Sequence, residues 1–246
     1  MPRHGRRTKE RELLPRDHLP PLALKAYLEL RDAIVQRRLP PGQYLSEPQL
    51  TEELGVSRTP IRAALQALIQ DGLVRTSPGR GTVVSDVSVQ DVRDIYELRM
   101  GIDGMAALLA AERAPDSALA RLRTTVLQDT AGVSQEKMQA MGNRFHATVA
   151  EVSGNQRIND MLQLVQPQLD RYRLMGYDVP GRGPEAQAEH MEILLAIESR
   201  DGDLAARRMR AHLANSLRSS LRSFIPAGGY SNASMAVSPT ALVEMP

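Results

Sequence analysis

Three histidines in the second half of the chain, His146, His190 and His212, have the side chains best suited to hold a metal ion. Each falls on a separate predicted helix, and His190 and His212 lie 11 residues on either side of position 201, in a predicted turn. If those two helices are antiparallel, the two rings sit at the same height and can share a metal. Imidazole nitrogen suits Zn, Ni, Cu or Fe. The alternative is that each histidine is an ordinary polar residue of a helical core.

A second group of side chains, between Gly55 and Ala64, has the chemistry to bind nucleic acid. Ser57 is a good helix N-cap, and Pro60 fits in the first turn that follows. An apolar stripe then recurs at helical spacing, formed by Ile61, Leu65, Leu68 and Ile69. The opposite face carries Thr59, Arg62, Ala63 and Gln66. Because arginine forks and side-chain amides match base edges and phosphates, this face predicts a DNA-reading helix whose contacts are Arg58, Thr59, Arg62 and Gln66, with Ser57 near a phosphate.

The elements around this helix complete a winged helix-turn-helix. A first helix is predicted from about residue 21 to residue 38, and residues 39–42 stop it. A short helix capped by Ser46 ends at Gly55, which supplies the turn of a helix-turn-helix. Residues 73–84 then read as two short strands around a Pro-Gly turn. Arg80 and Gly81 lie in that turn, where a residue without a Cβ allows close approach to a minor groove.

The rest of the chain reads as an all-α domain with no strand alternation. Ser88 and Asp91 form a capping box at the start of a long helix from 89 to 113 that has apolar positions on more than one face. Five further helices are predicted, at about 117–131, 134–152, 156–175, 185–199 and 202–224. The predicted fold class is therefore mainly α, with a winged helix-turn-helix at 21–85 followed by a six-helix bundle at 89–225.

Composition limits the function classes. There is no cysteine, which excludes disulfides and thiolate metal sites, and no long apolar run, so we expect a cytoplasmic protein. Residues 1–85 carry 14 Lys and Arg against 9 Asp and Glu, whereas residues 86–246 carry 17 against 20, as in a DNA reader joined to a domain that does not touch DNA. Residues 1–20, a basic arm holding His4 and His18 without partners at ligand spacing, and residues 226–246 are predicted to be disordered.

The stretch LPPGQYLSEPQLTEELGVSRTPIRAALQALIQDGLVRTSPGRGTVV closely resembles the winged helix of GntR-family transcriptional regulators. Ala63 departs from the family, which usually has Glu there, and we expect a change in the support of the recognition helix. The segments DIYELR, NRFHATVAEVSGN and EHMEILLAIESRDGDLAARRMRAHL resemble the FCD effector domain of the FadR subfamily. Six helices place the domain nearer the VanR type than the seven-helix FadR type.

The resemblance implies a divalent metal, Zn or Ni first, held by one Asp and three His, which match His146, His190 and His212. The carboxylate of the family stands four residues before the first His, and this chain has Gly142 there. Asn143 is a neutral substitute that could turn toward the site and contact an effector. The resemblance also implies that Arg99 holds a carboxylate effector, against the alternative of a surface or interface salt bridge. Residues 171–173 are weaker effector candidates, of which we select Arg173.

The combined expectation is a homodimeric DNA-binding regulator, most often a repressor in this family, that binds near-palindromic operator DNA. A small carboxylate in the helical domain would reorient the winged domains about the junction at 85–88. The alternatives are a metal-free member that binds an acyl ligand, a DNA-binding protein without an effector, and a metal-dependent hydrolase in which Glu189 is the nearest general base. The resemblance to regulators argues against the hydrolase.

Overall fold

The structure, a computed structural model, describes residues 18–127, 132–177 and 181–222, without the side chains of 135, 136 and 173–177. Within these ranges the chain forms nine helices and one hairpin. The elements are α1 Pro21–Val35, α2 Glu47–Leu54, α3 Arg58–Gln70, β1 Val74–Ser77, β2 Gly81–Val84, α4 Val89–Arg113, α5 Asp116–Val126, α6 Gln135–Val152, α7 Gln156–Tyr177, α8 Arg182–Glu198 and α9 Gly202–Arg222. The predicted fold class is confirmed. None of the helices in these ranges has the length and apolar character needed to cross a membrane.

The first core forms around α3. The predicted apolar stripe points inward, with Ile61, Leu65 and Leu68 at most 3% exposed, and α1 packs against it. Ser46 caps α2 by accepting a bond from the Gln49 amide, and Gly55 ends α2 in the left-handed conformation at φ 64°. Glycine adopts the left-handed conformation without steric cost because it has no Cβ. The helix-turn-helix geometry thus follows from the capping residue and the glycine.

The hairpin after α3 is the predicted wing. β1 and β2 are antiparallel, with Val74 opposite Val84 and Ser77 opposite Gly81. Val84 lies in the first core, while Tyr44 extends the hairpin by a single bridge to Val83. The wing is therefore attached to the core at its base and leaves its turn exposed.

The second core surrounds α4. Its capping box is present, since the Ser88 hydroxyl accepts from the Asp91 amide and the Asp91 carboxylate accepts from the Ser88 amide. Packing extends along α9 on one side and reaches α6, α7 and α8 on others. Because α4 is packed on several sides, its apolar residues lie on more than one face. The same packing buries two charged residues of the helix, Arg99 and Asp103.

Several predicted boundaries need correction. α1 ends at Val35, not at 38, because the chain turns at Arg37 with φ 59°. α8 begins at Arg182, inside the predicted turn, because Gly181 at φ 84° reverses the chain and Pro184 fits a first helical turn. α5 ends at Val126, and the rest of its predicted range includes 128–131, outside the described residues. The predicted arm, apart from 18–20, and the predicted tail lie outside them as well.

The helix α7 joins the two halves of the molecule. It packs against α6 and α9 in the second core and also contacts α1 of the first. The Arg171 guanidinium donates to the Ser85 carbonyl, in the segment between β2 and α4, over 2.6 Å. A Cβ built on Gly72, just after α3, would lie 2.7 Å from the Gln168 amide nitrogen. One face of α7 therefore lies against the end of the recognition helix and the interdomain junction.

Candidate metal centre and nucleic-acid interface

The three predicted histidines meet at one point inside the second core. His146 comes from α6, His190 from α8 and His212 from α9, and each is at most 4% exposed. The Nε2 atom of His212 lies 3.2 Å from Nε2 of His146 and 3.2 Å from Nε2 of His190. The antiparallel arrangement of α8 and α9 about residue 201 brings the last two rings to the same height, as the spacing predicts.

Two carboxylates contact the far sides of two of these rings. Asp103 Oδ1 lies 3.1 Å from Nδ1 of His146, and Glu189 Oε2 lies 2.6 Å from Nδ1 of His212. An ionised carboxylate only accepts hydrogen bonds, so each Nδ1 is the donor. In the neutral ring this leaves the Nε2 lone pair directed at the meeting point.

Each carboxylate is in turn held by a buried guanidinium. Arg99 donates to Asp103 over 2.8 and 3.2 Å, within α4. Arg182 donates to Glu189 over 2.9 and 2.6 Å, within α8. Burial alone would raise the pKa of Glu189, but the bonds from His212 and Arg182 outweigh it and lower the pKa to about 2. Two cations and two anions thus balance around the histidines.

The donor set fits a divalent metal. Tetrahedral coordination with metal–nitrogen bonds of about 2.0–2.1 Å places ligand nitrogens roughly 3.3 Å apart. The two observed Nε2 separations are close to this value, and one ligand atom from each ring lies within 4.8 Å of the others. Histidine nitrogen is the ligand type that Zn and Ni accept. Gly142, one turn before His146, contributes no ligand atom, so the set consists of three nitrogens.

A cavity of about 280 Å³ opens beside His146. Its polar lining consists of Arg99, Asp103, Asn143, His146, Asn159, Gln163, Gln166 and Asp170. Asn143 donates to Asp170 over 2.7 Å, and Gln166 donates to the same oxygen over 2.6 Å. Ala147, Ala150 and Leu162 complete the lining, so the cavity combines an apolar wall with polar groups that can orient a ligand.

The predicted effector residues have different positions. Arg99 and Asn143 line the cavity, but Arg99 is buried in an ion pair with Asp103 and not in a surface or interface one. Asn143 donates to Asp170. The side chain of Arg173 lies outside the described residues. Its neighbour Arg171 is directed to the interdomain junction.

Sequence reasoning missed the partners of the histidines. Asp103 follows Arg99 by four residues on a helix, a spacing that pairs opposite charges, and this could have been noticed. Arg182 lay in a segment that looked like a turn. Glu189 is not available as a hydrolytic base, because Arg182 and His212 already engage its carboxylate.

At the candidate nucleic-acid interface, α3 presents the predicted side chains. Arg58, Thr59 and Arg62 are exposed, and Gln66 is half-buried. The Arg62 Nε donates to Glu47 of α2 over 2.7 Å, so the first helix of the motif orients this guanidinium. Ser57 occupies the N-cap position, but its hydroxyl makes no capping bond, which corrects the predicted cap.

At the wing, Arg80 and Gly81 are both exposed beside the turn. Gly81 has φ +79°, and a Cβ there would lie 3.1 Å from Cε2 of Tyr44. The glycine is therefore favoured by its own backbone conformation, and a Cβ there would press on the tyrosine ring, in addition to any approach to DNA.

Comparison with known families agrees with these two halves. Residues 22–84 match the model described as bacterial regulatory proteins, gntR family, and residues 94–215 match the FCD domain. The chain is 33% identical over 189 residues to an HTH-type transcriptional regulator of Streptomyces ambofaciens, covering 76% of this chain and 80% of that protein. It is 28% identical over 196 residues to the HTH-type transcriptional repressor RspR of Escherichia coli, covering 78% and 86%.

Solved structures share the fold. Escherichia coli McbR/YncC superimposes with a TM-score of 0.67 at 19% identity, covering 82% of this chain and 98% of the other. A GntR-type transcriptional regulator from Rhodococcus superimposes with a TM-score of 0.63 at 24% identity, covering 81% and 97%. The matched domains and relatives are transcriptional regulators, which are not enzymes.

Proposed function

The chain belongs to the gntR family of DNA-binding transcriptional regulators with an FCD domain, and we propose that it is a repressor controlled by a small carboxylate bound beside a divalent metal. The observation that carries this proposal is the convergence of three histidine Nε2 atoms next to a cavity that offers polar side chains to a ligand. The relative RspR, which matches most of the chain, is a repressor by name, and this supports repression over activation.

The arrangement of hydrogen bonds at the histidines supports a bound cation. His146 and His212 both donate through Nδ1 to carboxylates, so in their neutral forms neither has a proton at Nε2. Their Nε2 lone pairs nevertheless face each other across 3.2 Å. Two lone pairs at that distance repel, and a positive charge between them relieves the repulsion. A divalent ion would supply that charge together with open positions for a carboxylate.

The charges around the site support an anionic effector. The pairs Arg99–Asp103 and Arg182–Glu189 are each neutral, so these groups beside the histidines contribute no net charge. The further acidic residue in the cavity lining is Asp170, which accepts from the amides of Asn143 and Gln166. Three neutral imidazoles leave the charge of a divalent ion uncompensated. A small carboxylate entering the cavity would offset that charge and contact Arg99 and the amides of the lining.

Transmission to the DNA-binding half would run through α7. Asp170 lines the cavity, and the adjacent Arg171 holds the Ser85 carbonyl at the interdomain junction. A ligand that displaces Asn143 or Gln166 from Asp170 would shift this part of α7. Since effectors act through differential affinity for two states, the junction contact must differ between them.

On DNA, we propose that a homodimer places two α3 helices in successive major grooves. Arg58, Thr59 and Arg62 would contact bases and phosphates at the helix entry, and Arg80 would follow the minor groove. Sedimentation equilibrium tests the dimer, with a monomer at micromolar concentration as the contradicting result. Selection from random DNA tests specificity, and failure to enrich any sequence would indicate a DNA-binding protein without an operator.

Elemental analysis of the purified, untagged protein tests the metal. We expect near-stoichiometric Zn, Ni or another divalent ion in the wild type and in His18→Ala, a control histidine outside the centre, and loss of that ion in His190→Ala. The DNA selected above is then titrated with protein in the presence of small monocarboxylates and dicarboxylates. The proposal fails if the wild type carries no metal. It also fails if no carboxylate changes the DNA affinity of the wild type and the Arg171→Gln variant has the same DNA affinity as the wild type.

A further inference from the structure

We propose that Asp103 and Glu189 are positioning residues that set the tautomer and orientation of His146 and His212, and so keep a metal site functional without a carboxylate at Gly142. This inference rests on the proposed metal function. It assigns a role to the pairs Arg99–Asp103 and Arg182–Glu189, which are not among the three proposed histidine ligands.

The Asp103 side works from α4. Asp103 is fully buried, and two bonds from Arg99 fix its carboxylate so that Oδ1 meets Nδ1 of His146. Were this acceptor replaced by a donor, His146 would carry its proton on Nε2, which points at the centre and could no longer ligate. Metal-bound histidines commonly depend on such a carboxylate at the other ring nitrogen.

The Glu189 side works from α8. Glu189 directly precedes His190, so one turn of this helix supplies both a ligand and the support of the ligand on α9. Arg182, which is buried, holds both oxygens of Glu189 and also donates to Ser216 over 3.0 Å. Asn215 donates to Glu189 from α9. The carboxylate that contacts the ring of His212 is therefore itself held from both α8 and α9.

The two sides differ in their relation to the cavity. Arg99 and Asp103 line it, whereas Arg182 and Glu189 do not. Both should determine metal affinity, because each fixes one ring. The expected effect of removing such a partner is a loss of metal affinity of about 10- to 100-fold.

The experiment measures Zn²⁺ affinity by competition with a chromogenic chelator in the wild type, Asp103→Asn and Glu189→Gln. Two matched controls remove carboxylates from the same helices without touching a histidine. Glu185→Gln on α8 removes an exposed carboxylate 3.8 Å from Arg182, and Asp94→Asn on α4 removes an exposed one bonded to Gln90. We expect affinity reduced about 10- to 100-fold in the first two variants and within twofold of wild type in the controls.

A second readout uses the metal-free protein, in which a merely structural role of the carboxylates would not change the tautomers of the histidines. Nitrogen-15 NMR of the imidazoles distinguishes a proton on Nδ1 from one on Nε2. We expect the Nδ1–H form for His146 and His212 in the wild type, and a shift toward Nε2–H for His146 in Asp103→Asn and for His212 in Glu189→Gln. This measurement is independent of whether the protein binds metal.

The outcomes separate the two proposals. A wild-type protein without Zn²⁺ affinity defeats the proposed metal function, and the NMR measurement then decides the positioning role alone. Zn²⁺ affinities within twofold of wild type for Asp103→Asn and Glu189→Gln, with unchanged tautomers, would overturn the inference. So would an equal loss in Glu185→Gln and Asp94→Asn, because general electrostatics would then explain the effect.

Discussion

Replacing Arg99 by Met should strongly destabilise the helical domain. The side chains of Arg99 and Asp103 are 2% and 1% exposed, and they pair at i,i+4 on α4. Removal of the guanidinium leaves the Asp103 carboxylate in a low-dielectric interior, where the imidazole of His146 still contacts it. Breaking a buried ion pair on one side typically costs about 3–5 kcal/mol, so we expect Arg99→Met to lower the free energy of unfolding by about that amount.

The same spacing on the surface supplies the comparison. Lys25 and Glu29 also pair at i,i+4, but their side chains are 65% and 46% exposed. Water screens such a pair, and it contributes about 0.3–0.5 kcal/mol. We therefore expect Lys25→Met to change the free energy of unfolding by less than about 1 kcal/mol. Arg99→Met and Lys25→Met each remove the cation of an i,i+4 pair, so the difference between them reports burial.

The assay is urea unfolding with a chelator present, so that metal binding does not contribute. Because the chain has two cores, hydrogen exchange of the α4 amides follows the helical domain separately from the α1 amides. The double variant Arg99→Met/Asp103→Leu removes both charges and should recover most of the loss, since buried ion pairs are often replaceable by apolar residues.

Two results would refute this reasoning. If Arg99→Met costs no more than Lys25→Met, the buried pair is solvated or not formed. If the double variant is less stable than Arg99→Met, the loss comes from packing of the arginine stem or from the lost bond between Asp103 and His146, and not from an uncompensated carboxylate.

Three further predictions concern the first core and its junction. Arg62→Ala should weaken operator binding by about 1–3 kcal/mol, and unchanged affinity in a titration would remove Arg62 from the interface. Ser88→Ala breaks the capping box of α4 and should cost about 1 kcal/mol in thermal unfolding of the helical domain. Gly81→Ala and Gly79→Ala both place a side chain at positive φ, and each should cost about 1–2 kcal/mol of stability. Only the alanine at position 81 would press on Tyr44, so the NMR shifts of that ring should change in Gly81→Ala alone.

The histidine cluster could be predicted because its determinants are local. The position of the turn at 201 and the helical repeat fix the heights of His190 and His212, whatever else packs around them. The same holds for the stripe of α3, whose burial follows from spacing alone. The helix ends near Arg37 and Arg182 were harder to predict from the sequence. A single residue in the left-handed conformation sets each of them, Arg37 in the first case and Gly181 in the second.

The support of the histidines could not be predicted in the same way. α4 has apolar residues on several faces, so periodicity does not say which charged residue points inward or toward which neighbour. Asp103 reaches His146 across 43 positions in sequence, through the packing of α4 on α6. Such a contact depends on tertiary geometry, and only the spacing between Arg99 and Asp103 signals that the two act together.

The glycine at position 142 bears on effector binding as well as on metal affinity. It lies one helical turn before His146 on α6, so an aspartate there would project along the same face. As a ligand it would cancel one positive charge of a divalent ion and fill a position otherwise open to an effector. Without it, the three neutral imidazoles leave both charges available to attract a carboxylate.

Gly142→Asp should therefore strengthen Zn²⁺ binding and weaken the binding of a simple carboxylate such as acetate to the Zn²⁺-loaded protein. Gly101→Asp, at an exposed helical position with open space around it, is the control for placing aspartate in a helix. Calorimetry measures both affinities in both variants. Stronger binding of Zn²⁺ together with unchanged binding of acetate would mean that the effector does not bind through the metal, because the added carboxylate and the ligand would not compete for the same charge.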